Sequence, residues 1–234
     1  MAYYYGNGGG GGFLSNVPRV TKNILMINVI FFVATLINKD FMTRWFSLYY
    51  PASRMFHWWQ PLTYMFMHGG FWHILFNMYT LVVFGSVLER MIGEKKYLIF
   101  YLVCGLGAAA CHMGVQAIEA HSYANGIALG SQAAIRHYAL LKMIPTLGAS
   151  GAIYGVLIGY AMLFPESRLT LIFPPVSFSA KWMVVIFAAI ELLTGVTGTA
   201  EGVAHFAHLG GMLFGWALIR YWRNKGNLFD RENL

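Results

Sequence analysis

The fold is decided by the stretch Gly148-Ala149-Ser150-Gly151-Ala152-Ile153-Tyr154-Gly155, which continues apolar through Val156-Leu157-Ile158-Gly159. Gly151, Gly155 and Gly159 are spaced four residues apart, so in a helix they form one stripe of small residues. A second helix can approach such a stripe almost to backbone contact. Ser150 lies at the edge of the stripe, and Tyr154 follows one turn later. The stretch therefore predicts a closely crossed membrane helix with a serine near its start.

A second stretch changes the interpretation of that serine. Taken alone, Gly-x-Ser-Gly favours simple packing, because serine in membrane helices commonly bonds to its own backbone. However, His208 is followed at helical spacing by Gly211 and Gly215, which predicts another glycine-lined face, this one bearing a histidine. A serine on one face and a histidine on the other are what a nucleophile and its base need in order to meet inside a bilayer.

The composition is that of a membrane protein. Of the 234 residues, 58% are hydrophobic and 11% are charged, which is too apolar for a soluble domain and typical of several membrane spans. The net charge of +7 includes no basic patch at helical or repeat spacing, so nucleic acid is not an expected partner. We expect the positive charge to lie in cytoplasmic loops, next to membrane lipid.

Six apolar segments predict an all-α membrane protein, a bundle of six transmembrane helices with an interfacial first loop. The predicted spans are residues 21–37, 71–91, 97–118, 146–164, 181–196 and 203–222. The first loop, residues 38–70, mixes aromatic and charged side chains and should lie in the headgroup layer. Residues 119–145 are predicted to be a polar linker with room for a helix, and residues 165–179 a turn-rich loop.

The predicted domain covers residues 21–222, between a flexible glycine-rich tail (1–20) and a basic tail (223–234). No removable signal peptide is expected, because no Lys or Arg precedes Arg19 and no cleavage site follows an apolar run. With six spans, both termini share a side that carries eleven of the 16 Lys and Arg residues. The positive-inside rule therefore places both termini in the cytoplasm. We expect a multi-pass protein of the inner or plasma membrane of a bacterium.

Four polar residues fall at one depth in this arrangement. His73 and Asn77, at i and i+4 near the start of the second span, share one helix face. Ser150 lies near the start of the fourth span and His208 near the start of the sixth. All four are then close to the non-cytoplasmic ends of their spans, which allows one shared site.

These residues resemble the rhomboid family of intramembrane serine proteases in order and spacing. The matching pieces are His73-Ile74-Leu75-Phe76-Asn77, Glu89 with Gly93, Gly148-Ala149-Ser150-Gly151 with Tyr154, and Ala207-His208 with Gly211 and Gly215. Each piece is weak alone, but four in register are specific, and the likeness covers residues 21–222. One departure is Gln60 after Trp59, where many members have arginine. It puts in doubt the bracing of the first loop by an arginine.

The resemblance implies a rhomboid-like bundle and a role for each matched residue. Ser150 matches the nucleophile and His208 its general base, while His73 and Asn77 help to hold the oxyanion. Tyr154 packs beneath the histidine. The glycines that support the site are Gly148, Gly151, Gly211 and Gly215. The implied activity is endoproteolysis of single-span transmembrane proteins near the outer membrane boundary, with no cofactor and no metal.

The chemistry suits a bilayer, because neutral serine and histidine are buried more cheaply than a charged group. No third-member carboxylate is evident from the sequence, so stacking on Tyr154 is expected to orient the base. The oxyanion donors would be His73, Asn77 and the backbone N–H of Ser150. Glu191 lies inside the fifth span. With no partner apparent, we expect it to be a neutral, hydrogen-bonded carboxyl group.

Two alternatives remain at this point. One is a six-span transporter or metal-binding protein, whose metal would be held by His205 and His208 with the nearby His68 and His73. The other is a catalytically inactive rhomboid-like protein that binds membrane clients, although such relatives usually lack the serine or the histidine. Metal analysis with chelator treatment separates the first alternative from a serine protease. His205 matches no motif position and is expected to have no catalytic role.

Overall fold

The computed structural model describes residues 13–170, 176–197 and 202–229, and most of the regular structure in these ranges is helical. The helices are α1 (Arg19–Ile37), α2 (Lys39–Phe46), α3 (Gln60–Thr63), α4 (Phe71–Thr80), α5 (Ser86–Ile92), α6 (Glu94–Ala128), α7 (Gln132–Met143), α8 (Ser150–Leu163), α9 (Ala180–Val196) and α10 (Gly202–Asn224). A π-helical turn, Leu81–Gly85, joins α4 to α5. Of the two predicted tails, residues 1–12 and 230–234 lie outside the described ranges.

Three of the described helices are long and apolar enough to cross a membrane. They are Arg19–Ile37, the continuous α4–α5 segment Phe71–Ile92, and Glu94–Ala128. α8 is apolar too, but its 14 residues extend only about 21 Å at 1.5 Å per residue, less than a hydrocarbon core of about 30 Å. The fold is therefore that of an all-helical membrane protein, and the count of six spans stays a prediction.

The polar linker predicted at residues 119–145 is largely helical. α6 continues to Ala128, and α7 follows after a turn in which Gly130 has a φ of +80°. The segment after residue 118 is polar but holds no strong helix breaker, so the helix extends beyond the apolar run. Asn125-Gly126, which marks turns elsewhere, lies within α6. There the missing side chain of Gly126 leaves room for Ala134 of α7.

The predicted turn-rich loop at residues 165–179 contains a small antiparallel pair of strands. β1 (Arg168–Thr170) pairs with β2 (Ser177–Ser179), and Leu169 lies opposite Phe178. Residues 171–175, between the strands, are outside the described ranges. The pair leads directly into α9 and so fixes where that helix begins.

The centre of the bundle is the place where α6, α8 and α10 cross. A side-chain carbon at Gly211 of α10 would fall on the carbonyl oxygen of Gly151 in α8. One at Gly215 would lie 3.0 Å from the carbonyl oxygen of Gly155. The α8 stripe faces α6 as well, since a carbon added at Gly151 would overlap the methyl group of Ala108. The predicted close crossing is present, but two helices share the stripe instead of one.

The first loop is tied to the segment that leads into α8. Leu48 and Thr146 exchange two backbone hydrogen bonds of 2.8 Å, and the N–H of Gly148 donates to the carbonyl oxygen of Tyr64 at 3.0 Å. The Tyr64 hydroxyl in turn donates to the carbonyl oxygen of Gly105 on α6. Because these residues pair with the loop, the fourth helix begins at Ser150, later than the predicted residue 146.

Gln60 stands where many rhomboid proteins have an arginine, and its side chain braces the first loop. Its side chain is fully buried. The amide nitrogen donates to the carbonyl oxygens of Met55 (2.9 Å) and Arg44 (3.2 Å), and the amide oxygen accepts from the N–H of Tyr49 (3.3 Å). A neutral amide therefore connects three separate points of the loop.

The matched Glu89 holds the start of the first helix. Its carboxylate accepts hydrogen bonds from the N–H groups of Val20 (2.8 Å) and Thr21 (2.7 Å) and from the Thr21 hydroxyl. These are among the N–H groups that a helix leaves unpaired at its N-terminus, where a negative charge is also favoured by the helix dipole. Gly93, with a φ of +82°, then lets the chain turn from α5 into α6.

Candidate active site

The glycine-lined crossing brings Ser150 and His208 together. Ser150 is the first residue of α8, and His208 precedes Gly211 on α10 by almost one turn. The hydroxyl oxygen of Ser150 lies 2.7 Å from Nε2 of His208, which is the distance of a good hydrogen bond. A serine and an imidazole in this contact can exchange a proton, as activation of a serine nucleophile requires.

Tyr154 supports the histidine ring as the sequence predicted. It follows Ser150 by four residues on α8, so both side chains lie on the same face. The rings of Tyr154 and His208 are stacked, with centroids 4.4 Å apart and planes 2° from parallel. The stacking prevents the imidazole from tilting away from Ser150.

Glu191 of α9 contacts the same histidine from its other side. Its Oε1 lies 3.0 Å from Nδ1 of His208 and accepts a hydrogen bond from the Tyr154 hydroxyl. Its Oε2 lies 2.5 Å from Nδ1 of His205. The His208 contact is at ion-pair distance, but the ring N–H is not well aligned with the oxygen. The sequence alone offered no partner for this glutamate, and the structure gives it three. Two of them are imidazole nitrogens, which favour an ionised carboxylate over the neutral carboxyl group expected from the sequence.

The sequence contains part of the information needed to predict the cluster of Glu191, His205 and His208. His205 and His208 are three residues apart and share a helix face, and Glu191 is the one acidic residue inside the fifth span. What the sequence does not contain is the rotation of α9 about its axis, which turns Glu191 toward α10. His205 was expected to have no catalytic role, and that expectation stays a prediction; the structure adds that Glu191 joins it to His208.

His73 lies on the other side of Ser150. The N–H of Gly69 donates to its Nδ1 at 3.4 Å, so a neutral ring carries its proton on Nε2. A side-chain carbon at Gly148 would lie 3.0 Å from that Nε2 and 3.4 Å from the hydroxyl oxygen of Ser150. The φ of Gly148 is +137°, which favours glycine. The absent side chain therefore leaves a space bounded by a hydroxyl group and an N–H donor.

Two further donors are predicted for this side of the site. Asn77 follows His73 by one turn on the same face of α4 and is buried. The backbone N–H of Ser150 is at the first position of α8, where the helix itself supplies no acceptor. The role of these groups in holding an oxyanion stays a prediction.

The remaining histidines near the site do not join His208. His68 is buried and packs edge to face against His73, with ring centroids 5.0 Å apart. Burial and, to a smaller extent, the neighbouring His73 lower the pKa of His68 to about 4, so the ring is neutral at neutral pH. His57 is stacked between Trp45 and Trp59 in the first loop, which it braces.

The proposed metal set of four histidines is not assembled. Among residues 13–170, 176–197 and 202–229, the group close enough to share a metal ion is Glu191, His205 and His208, whose ligand atoms lie within 4.8 Å of one another. His68 and His73 are not part of that group. The transporter interpretation therefore loses two of the ligands that it needed, one from the first loop and one from the second span.

Comparison with known proteins identifies relatives over most of the chain. A family model described as "Rhomboid domain" matches residues 55–225. The chain is 30% identical over 221 residues to the mitochondrial presenilin-associated rhomboid-like protein of Bos taurus, covering 91% of this chain and 52% of that protein. It is 28% identical over 199 residues to the mitochondrial Rhomboid protein 1 of Saccharomyces cerevisiae, covering 79% and 45%.

A bacterial protein is similar as well. The putative rhomboid protease YdcA of Bacillus subtilis is 27% identical over 164 residues, covering 70% of this chain and 68% of that protein. The chain thus spans about half the length of the two mitochondrial relatives and about two thirds of the bacterial one.

Proposed function

We propose, because the chain belongs to the rhomboid family, that it is an intramembrane serine endopeptidase with Ser150 as nucleophile and His208 as general base. The observation that carries the proposal is the 2.7 Å hydrogen bond between the Ser150 hydroxyl and Nε2 of His208. A packing serine in a membrane helix bonds to its own backbone instead. Ser150 is held by a base on another helix, beside an open space that is lined by donors.

The chemistry proceeds from these positions. The Ser150 hydroxyl gives its proton to Nε2 of His208 as its oxygen attacks the scissile carbonyl carbon. The oxygen of that carbonyl becomes negative and accepts hydrogen bonds from the Ser150 N–H, Nε2 of His73 and the Asn77 amide. His208 then protonates the leaving amine, which releases one product and leaves the other as an ester on Ser150. Water, activated by His208, hydrolyses the ester and restores the serine.

The short α8 accounts for the position of the reaction. A helix of 14 residues does not span the hydrocarbon core, which leaves room for Ser150, at its start, to lie below one membrane surface as we propose. The non-helical backbone before it is paired with the first loop, as irregular backbone at membrane depth requires. A single-span substrate would be cut near that surface. Six spans, with both termini in the cytoplasm, complete this topology.

The membrane of residence is a separate part of the proposal. The sequence predicted the inner or plasma membrane of a bacterium, and one of the relatives reported above is bacterial. The other two are mitochondrial, so the bacterial location stays a prediction. Fractionation of the source cells, with antibody to the chain, decides between these membranes.

The test is cleavage of a generic transmembrane substrate by purified protein in detergent or liposomes. Wild type should cleave, and a fluorophosphonate should label Ser150, while metal chelators should change neither result. Ser150→Ala and His208→Ala should each abolish cleavage, and the double variant should be hardly worse, because the two residues act as a unit. Ser86→Ala is the matched control, since this buried hydroxyl has no hydrogen-bond partner in the described structure.

The outcomes separate the remaining alternatives. Substantial proteolysis by Ser150→Ala would exclude Ser150 as the nucleophile. A wild-type protein that binds the substrate but neither cleaves it nor reacts with the fluorophosphonate would be an inactive client-binding member of the family. Loss of cleavage on chelation would favour a metal-dependent reaction instead.

A further inference from the structure

We infer that Glu191 is a positioning residue of the active site, which orients His208 and selects the tautomer that can accept the proton of Ser150. The inference rests on the proposed function, since it assigns a task to the general base. It makes the site a three-residue system of serine, histidine and carboxylate, supplied by α8, α10 and α9. His205 assists by holding the second oxygen of the same carboxylate.

The geometry places the carboxylate where such a residue is needed. Nε2 of His208 faces Ser150 at 2.7 Å, and Nδ1, on the opposite edge of the ring, faces Oε1 of Glu191 at 3.0 Å. Serine, imidazole and carboxylate therefore lie in sequence across the ring. The carboxylate is buried, and the imidazole is only partly exposed.

The tautomer of the base depends on this contact. A neutral imidazole has one N–H, and only the nitrogen without it can accept a proton. A carboxylate at Nδ1 attracts the N–H to that nitrogen, which leaves Nε2 free to accept the proton of Ser150. It also stabilises the imidazolium ion that forms when the proton arrives. The stacked Tyr154 ring fixes the plane of the imidazole but cannot choose between the two nitrogens.

The surroundings of Glu191 are built to hold it in one orientation. Oε1 accepts from the Tyr154 hydroxyl and faces His208, while Oε2 lies 2.5 Å from Nδ1 of His205. Three groups from two helices thus contact the two oxygens of one side chain on a third helix. A buried carboxylate without such partners would be strongly unfavourable, so the partners explain how a membrane helix retains a glutamate here.

A metal ion is the competing explanation for two histidines and a glutamate. Ligand atoms about 2.0 Å from a tetrahedral zinc ion lie about 3.3 Å from one another. The 2.5 Å between Oε2 of Glu191 and Nδ1 of His205 is shorter than this and corresponds to a direct hydrogen bond. Nδ1 of His208 already faces the other oxygen. In this arrangement the three residues contact one another directly, so an ion would have to separate them in order to bind.

The test compares Glu191→Gln and Glu191→Asp with wild type. Glutamine keeps the shape and removes the charge, and we expect kcat to fall about 10²- to 10³-fold with little change in KM. The loss should be smaller than the roughly 10⁴-fold of a serine protease triad that loses its carboxylate, because Tyr154 also orients the ring. The rate of fluorophosphonate labelling should fall in parallel, since it reports the reactivity of Ser150 without a substrate helix. Aspartate should restore part of both rates.

Thr194→Val is the matched control on the same helix. Its hydroxyl bonds only to backbone carbonyl oxygens of α9, so the variant should keep wild-type kcat and labelling. Thermal melting of each variant corrects the rates for the folded fraction. If Glu191→Gln does not fold, the same measurements on Glu191→Asp test the inference. We then expect an intermediate kcat and an unchanged KM.

Wild-type kcat and labelling in folded Glu191→Gln, or a loss confined to KM, would overturn the inference. So would stoichiometric zinc that wild type retains and Glu191→Gln loses, together with loss of labelling on chelation. Failure of the proposed function gives a different result, because wild type itself would then show neither cleavage nor labelling.

Discussion

Replacing Gly211 with alanine should separate α8 from α10 at the point where the two helices touch most closely. The added methyl group would fall on the carbonyl oxygen of Gly151, which belongs to a helix backbone and cannot rotate away as a side chain would. The helices must therefore move apart. Since Gly211 is almost one turn from His208, and Gly151 is next to Ser150, the movement opens the contact between base and serine.

The loss in free energy of unfolding can be calculated from this clash. Overpacking of a filled interior typically costs about 1 to 3 kcal/mol. We take about 3 kcal/mol because neither the added methyl group nor the helix carbonyl that it meets can rotate away. Alanine recovers about 1 kcal/mol through its higher helix propensity, which leaves about 2 kcal/mol. For a protein of this size that corresponds to a fall in Tm of about 4 to 8 °C. A displacement of about 1 Å between reacting groups can cost about 10²-fold in rate, so cleavage should fall by at least tenfold.

Thermal melting in detergent and substrate cleavage measure the two effects. The matched control is Gly114→Ala on α6, where no atom lies within 4 Å of the added carbon. That variant should keep its activity and gain stability slightly, by no more than about 1 kcal/mol. If Gly211→Ala melted and cleaved like Gly114→Ala, the close backbone crossing of α8 and α10 would be wrong.

Two further predictions concern the oxyanion side and the first loop. Asn77→Ala should fold normally but turn over about 10²-fold more slowly, because it removes one oxyanion donor; lower thermal stability with wild-type kcat would make Asn77 a packing residue instead. Gln60→Ala should lower the free energy of unfolding by about 3 kcal/mol, because it leaves one N–H and two carbonyl groups of the loop without their partner. Thermal melting measures this loss, and Trp58→Phe, at an exposed position of the same loop, is the control. An unchanged Tm of Gln60→Ala would show that the first loop does not need the Gln60 side chain for its stability.

The rhomboid family could be predicted from the resemblance of four motifs in register. The neighbours of Ser150 could be predicted because helical spacing determines which residues share a face. Tyr154 lies four residues after Ser150, and Gly211 lies three after His208, so each pair faces the same way whatever the rest of the fold does. The predicted boundaries of the first two spans were also close to those of the observed helices, because the loops on either side differ in composition from the apolar spans. The family assignment is confirmed by the match over residues 55–225.

The rest depended on contacts between distant parts of the chain. Residues 146–149 belong to an apolar run, yet Thr146 and Gly148 pair with Leu48 and Tyr64, so α8 starts later than its hydropathy indicates. The partners of Glu191 depend on the rotation of α9 about its axis. No local pattern encodes that rotation, because the apolar side chains of a membrane helix point both to lipid and to protein.

The amide of Gln60 gives the first loop an anchor without a charge. An ion-pair anchor weakens as the ionic strength rises, and its arginine is attracted to anionic lipid headgroups. Three hydrogen bonds made by a fully buried neutral group are subject to neither effect. This anchor of the first loop should therefore respond neither to ionic strength nor to the charge of the lipid headgroups.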